Sequence, residues 1–231
     1  QAFIQDLKKA NIAYKGVIKK NNLPTGCCNI LVSPDGERTM ATHIGIGSQL
    51  HPNELSEESL QGIDHIYMES YLWDHDLTKQ TLKKVGTIAK AMNIETSLSL
   101  SDPFCVDRHR DELQSFIEEY VDLVFCNFDE AKRFAQSETM ADVSVFFQSF
   151  EKKIAMTTGA EGAYYFHGKS VAHQPAQKIT HVIDTTGAGD NFAAGFLDQY
   201  LLNKTIEEAL AQGNARAAEV IQQLGPRIKR H

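Results

Sequence analysis

From about residue 52 onwards, short apolar runs alternate with longer amphipathic ones, and this rhythm is the tightest constraint on the fold. Helical spacing over 53–61, 75–92 and 111–120 alternates with strand-like runs at 63–68, 94–100 and 123–126. A helix starting at Asp129, a second over 141–150 and a strand over 154–158 continue the pattern. Strands separated by helices pair in parallel, and a parallel sheet needs helices on both faces. The fold class is therefore α/β with a mostly parallel sheet. After it come a hairpin around 163–172, a β-branched strand over 179–183 and a last helix over 205–224.

The upstream part reads differently. Residues 1–11 have helical spacing without a start signal, as if the chain began mid-fold. Runs at 13–18, 27–32 and 38–44 are strand-like, with a strong turn signal at Ser33-Pro34-Asp35-Gly36 between the last two. A three-strand meander over about 12–46 is too small to bury both faces, so it reads either as a lid over something or as an edge hairpin. As a lid, its exposed edge would offer a homodimer contact.

In a sheet of this kind, ligands bind beyond the carboxyl ends of the strands. Those ends carry Glu69, Ser101 and Asp102, Asn127 and Glu130, then Thr157, Thr158 and Gly159. The most informative stretch is Asp184-Thr-Thr-Gly187-Ala188-Gly189-Asp190, which runs into the helical segment Asn191 to Leu202. Two glycines between a strand and a helix start let the backbone approach a ligand, with the amides of Gly187, Ala188, Gly189 and Asp190 turned outward where phosphate oxygens are favoured. A purely passive phosphate site has no use for the Asp190 carboxylate. A phosphoryl transferase does, because an aspartate can accept the proton of an attacking hydroxyl. The alternative is that Asp184, Thr185 and Asp190 are caps and first-turn acids of an ordinary helix.

Asp184 to Phe196 resembles the C-terminal signature of the PfkB (ribokinase-like) carbohydrate and nucleoside kinases. The resemblance extends over nearly the whole chain and implies a ribokinase-like three-layer sandwich, a single α/β domain over 1–231 with the meander as a lid. It implies an ATP-dependent kinase in which Asp190 is the base, the amides of Gly187, Ala188 and Gly189 form the anion hole, and the γ-phosphoryl group goes to a primary hydroxyl of a nucleoside or sugar. Asn127-Phe-Asp-Glu130 resembles the family's Asn-x-x-Glu motif, which organises phosphates bound to Mg²⁺, in part through water. Thr157, Gly159 and Gly162 resemble the segment bordering the nucleotide phosphates and ribose, and Asn214 matches the region flanking adenine. Glu69 falls where ribokinase-like enzymes place an acid near the substrate, and Asp184 matches a monovalent-cation (K⁺) position of some relatives. The segments 24–26, 35–40, 69–74 and 101–111 resemble the bacterial adenosine-kinase-like branch. A ribokinase- or fructokinase-type sugar kinase is the alternative, and a catalytically incomplete nucleotide-binding fragment a second. The family's N-terminal substrate-holding strand and Gly-Gly segment have no counterpart here, so the expectation is a fragment, a truncated product or a chain represented without its first third.

Other functional classes are disfavoured. A net charge of −7, without a basic run, argues against nucleic-acid binding. Cys27, Cys28, Cys105 and Cys126 form no CxxC, and there is no long apolar span, which points to a reducing cytoplasmic setting without membrane contact. The segment Ala163 to Ser170 mimics a relaxed phosphate loop, yet its Tyr164, Tyr165 and Phe166 suit a strand and no helix follows.

Overall fold

The computed structural model describes residues 2–14, 16 and 23–228 of the chain. A helix, α1 (Ala2–Lys9), leads to a two-stranded antiparallel ribbon of β1 (Cys27–Val32) and β2 (Arg38–His43). The body is a six-stranded sheet in sequential order, made of β3 (His65–Glu69), β4 (Glu95–Ser99), β5 (Leu123–Asn127), β6 (Lys153–Thr157), β7 (Ala163–His167) and β8 (Ser170–Gln174). The first four strands are parallel and the last two form the expected hairpin. The α/β expectation with a mostly parallel sheet therefore holds.

Between the parallel strands lie α2 (Asp76–Met92), α3 (Pro103–Tyr120), α4 (Phe128–Ala135) and α5 (Met140–Ser149); α6 (Ala188–Tyr200) and α7 (Ile206–Val220) follow the hairpin. Successive crossovers of one hand put the first four helices on one face. The strands alternate accordingly: Val124, Cys126, Ile154, Met156 and Phe166 join the core under α2 to α5. Their neighbours Leu123, Phe125, Ala155 and Tyr165 join the core under α6 and α7. Each fully buried Leu or Phe contributes about 1.5–3 kcal/mol, so the two cores hold the sheet as the middle of three layers. Glycines set the spacing of the outer layer. A Cβ on Gly195 would lie 2.7 Å from the Gln212 carbonyl, and one on Gly213 2.7 Å from the Phe192 ring, so α6 and α7 pack backbone to backbone.

Four expectations need correction. The run 179–183 is no strand and bends at Thr180, because the sheet already ends at β8 and the Ile183 amide donates instead to Ile221 O at 2.8 Å. Residues 53–61 form two 3-10 turns, Pro52–Glu54 and Glu57–Leu60, because Ser56 caps the second and interrupts any longer helix. Helix α3 begins at Pro103 rather than 111. Asp102 accepts from the amides of Phe104 and Cys105 at 2.7 and 3.1 Å with proline in the first turn, so Asp107 to Asp111 lie inside the helix. The meander has two strands among the described residues. Of the expected strand at 13–18, residues 13, 14 and 16 are not in a strand and the rest lie outside the described residues.

Candidate active site

The carboxyl ends of β3 to β6 and the start of α6 enclose a cleft of about 570 Å³. Glu69, Asn127, Glu130, Thr157, Gly159, Gly187, Ala188, Gly189 and Asp190 all line it, together with Glu37, Arg38 and Met40 from the ribbon. Residues spread over more than a hundred positions of sequence thus meet because the parallel strands all point the same way.

Gly187 caps α6 in the left-handed conformation, φ +79°, and a Cβ there would lie 2.7 Å from Pro226 Cβ. Beside Gly189 there is nothing within 4 Å, so its openness faces the cleft and serves no packing need. The Ala188 amide donates to Thr185 O at 3.2 Å. The amides of Gly187, Gly189 and Asp190 have no acceptor among the described residues, and neither does the Asp190 carboxylate have a donor. Three amides and one exposed carboxylate are therefore left for a ligand at a helix start.

Asp184 holds this turn in shape. Its Oδ1 accepts from the Thr186 amide (2.9 Å) and hydroxyl (2.5 Å), and its Oδ2 from the Gly225 amide at 2.8 Å. Burial alone would raise its pKa, but the bonds from Thr186 and Gly225 outweigh burial and keep the carboxyl below its ordinary range. Both oxygens are thus engaged by protein donors, which gives Asp184 a structural use in closing this turn.

At the start of α4, Asn127 and Glu130 form a reciprocal cap. The Glu130 amide donates to Asn127 Oδ1 at 2.8 Å, and Glu130 accepts from the Asn127 amide (3.0 Å) and side-chain nitrogen (2.8 Å). Glu130 is buried, and desolvation, less the Asn127 amide bond and reinforced by Asp102 and Asp129, lifts its pKa to about 7. Glu69 is also raised, first by burial and then by Asp190 facing it.

Two expected nucleotide residues stand behind the cleft instead of in its wall. Asn214 is buried, and its side-chain nitrogen donates to Gln174 O and Pro175 O at 2.9 and 3.2 Å, tying α7 to the end of β8. Gly162 has φ +104° and its missing Cβ would lie 2.1 Å from Gln174 O, so it is required by a backbone crossing. Arg38 had no role in the sequence reading. Its guanidinium donates to Thr185 Oγ1 at 2.6 Å, and the Thr185 amide and hydroxyl both donate to Gly36 O at 3.2 Å. The only sequence signal was its place two residues after the Asp35-Gly36 turn.

The model of pfkB family carbohydrate kinases matches residues 1–230. The chain belongs to the PfkB family. Against the crystal structure of adenosine kinase from Sinorhizobium meliloti this PfkB chain gives a TM-score of 0.93 at 34% identity, over 97% of its own length and 69% of the other's. It is 25% identical to the adenosine kinase of Schizophyllum commune, covering 92% of this chain and 67% of that one. An E. coli protein described as a ribokinase II, solved with ATP and Mg²⁺, shares the fold with a TM-score of 0.85 at 21% identity, over 96% of this chain and 73% of that one. The PfkB chain spans about two thirds of the length of the curated relatives it matches.

The cleft's charge bears on cofactor chemistry. Among the described residues Glu37, Glu69, Asp129, Glu130 and Asp190 line it against one cation, Arg38. A bare polyphosphate would be repelled, whereas a phosphate carried with a divalent cation would not. Among the described residues no three His, Cys, Asp or Glu side chains are placed to hold a metal by themselves. That donor set fits Mg²⁺ kept largely by water and phosphate. No helix among the described residues is long and apolar enough to cross a membrane.

Proposed function

We propose that this chain transfers the γ-phosphoryl group of ATP to a primary hydroxyl of a nucleoside of the adenosine type. The observation that carries the reading is the Asp190 carboxylate, without a donor, set among the unaccepted amides of Gly187 and Gly189 at the start of α6. Asp190 takes the proton of the acceptor hydroxyl as that oxygen attacks. The amides of the glycine turn and the Arg38 guanidinium stabilise the charge on the transferring group. Asn127 and Glu130 would hold Mg²⁺ through water, and the ion, when bound, neutralises phosphate charge. Glu69 holds an acceptor hydroxyl, Thr157 and Gly159 border the nucleotide, and the β1–β2 ribbon acts as the lid that brings Arg38.

Adenosine is preferred over a sugar because the adenosine kinases of Schizophyllum commune, Arabidopsis thaliana and Saccharomyces cerevisiae are among the relatives it matches; a probable sugar kinase protein of Rhizobium etli, matched at the same 34% identity as the S. meliloti adenosine kinase, and the family description as carbohydrate kinases support the sugar alternative. The test is ADP release with Mg-ATP and adenosine, ribose or fructose. Adenosine-dependent release, lost ~10²- to 10⁴-fold in Asp190→Asn with ATP binding retained, is the expected result. Release that persists in Asp190→Asn would remove Asp190 from the mechanism.

A further inference from the structure

The most strained residue bordering the cleft has no part in the mechanism above. Ser101, just beyond β4, has φ +64°, the left-handed region that non-glycine residues occupy only when surrounding bonds impose it. Four hydrogen bonds converge on it. Its amide donates to Ser99 Oγ at 3.2 Å and its hydroxyl to Ser99 O at 3.1 Å. The same hydroxyl oxygen accepts from the Ser70 amide at 3.2 Å, and its carbonyl accepts from the Tyr71 hydroxyl at 2.8 Å. The Ser70 hydroxyl adds a bond to Leu100 O at 2.6 Å. Together these bonds join the end of β4 to the 3-10 turn Ser70–Asp74, which starts directly after Glu69.

Tyr71, Glu69, Ser99 and Ser101 all line the cleft, on the β3 and β4 side. Glu69 is partly buried and faces the like charge of Asp190, and both effects raise its pKa. Glu69 pairs with Ser99 in the β3–β4 ladder, and directly after it the Ser70–Tyr71 segment is tied to the end of β4 through Ser101 and Leu100 and to α3 through Cys105, whose thiol donates to Ser70 O at 3.3 Å. A right-handed or extended Ser101 would turn its carbonyl away from Tyr71. The bland account is that the bend only delivers Asp102 to cap α3, but that cap makes no use of the Tyr71 hydroxyl.

We propose that Ser101 is a positioning residue whose left-handed backbone aims its carbonyl at Tyr71 and its hydroxyl at Ser70, fixing Glu69 and the Tyr71 ring as the acceptor-side wall of the cleft. The term acceptor rests on the kinase reading above.

Tyr71→Phe removes one hydroxyl from a half-exposed ring, and Ser101→Gly keeps a residue at ease in the left-handed region while removing the side chain. Both are made in the full chain and compared by thermal melting, by hydrogen exchange of the amides at 70–72, and by KM for adenosine and for Mg-ATP. Expected are melting near that of the parent, faster exchange at 70–72, and a KM for adenosine raised roughly five- to tenfold, the value of one lost hydrogen bond, with KM for Mg-ATP unchanged. Unchanged exchange at 70–72 overturns the proposal, as does a parallel change of both KM values. If the parent phosphorylates nothing, the kinase reading falls by itself, and the exchange arm still decides whether Ser101 holds the turn.

Discussion

Replacing Glu130 with Gln should make the free protein more stable above neutral pH and leave it no better, or slightly worse, at pH 5. A carboxyl that ordinarily titrates at 4.5 titrates here at about 7. Its proton is thus held more tightly in the folded state. Between those two values the folded protein carries the extra proton, so stability is fully present below pH 4.5 and declines as pH rises through 7. At 1.36 kcal/mol per pH unit the ionised carboxylate costs on the order of 3 kcal/mol by pH 8. Gln removes that cost but cannot accept from both Asn127 nitrogens, a loss of about 1 kcal/mol. The net gain at pH 8 is about 2 kcal/mol, or roughly 4–8 °C in melting temperature for a chain of this size. Denaturant titrations of parent and variant at pH 5 and pH 8 measure it, and taking the difference cancels every other titrating group. A parent-to-variant difference that is the same at both pH values would refute the burial argument. Saturating Mg-ATP should shrink the parent's pH dependence, because a nearby cation favours the ionised carboxylate.

The glycine turn gives a contrasting pair: Gly187→Ala should lose about 1–3 kcal/mol through its left-handed φ and the Pro226 contact, whereas Gly189→Ala should melt at or above the parent yet bind ATP at least about tenfold more weakly, by calorimetry. Arg38→Met, at an exposed position, should change stability by less than about 0.5 kcal/mol and lower kcat on the order of 10²-fold in the coupled ADP assay. The Asp184 carboxyl sits below its ordinary 3.8 in the folded state, so its stabilisation is present above that value and is lost as pH falls below it through the lower folded value. Asp184→Asn should accordingly flatten the acid limb of the stability curve below about pH 4 while lowering stability at pH 7.

The cleft residues Glu69, Asn127 and Thr157 were legible because alternation fixes which ends of the parallel strands meet, and Asp190 because two glycines mark the turn into α6; neither rule needs knowledge of side-chain contacts. Most of the differences come from hydrogen bonds beyond the local window, and the start of α3 from a local cap. The run 179–183 has β-branched residues but finds Ile221 O where a strand would find a neighbour. Helix α3 starts at Pro103 and not at the expected 111 because Asp102-Pro103 is a cap followed by a first-turn proline. Ser101 carries no composition signal for a left-handed backbone, which its hydrogen bonds to other segments impose. The role of Arg38 depends on Thr185, 147 residues away, a pairing that no periodicity announces. Asn214 also donates its amide nitrogen to two carbonyls of the β8 exit, a pairing the motif does not announce.

The Arg38–Thr185 contact also shows why the ribbon and the glycine turn behave as one device. β2 is exposed along its whole length, and a two-stranded ribbon is marginally stable in water by itself. Its order therefore depends on docking, and its hydrogen bonds to the body among the described residues all meet at Thr185: the hydroxyl accepts from Arg38, and the amide and hydroxyl donate to Gly36 O. Thr185 directly follows Asp184 and its carbonyl receives the Ala188 amide, so the residue that anchors the ribbon also closes the turn. A polyphosphate at the free amides of Gly187 and Gly189 would meet Arg38 only while the ribbon is docked. Such a ligand binds the docked state better and must, by linkage, stabilise the docking by the same factor. The coupling between the ribbon's docking and the nucleotide affinity is on this argument one free energy, carried in part by the three hydrogen bonds at Thr185.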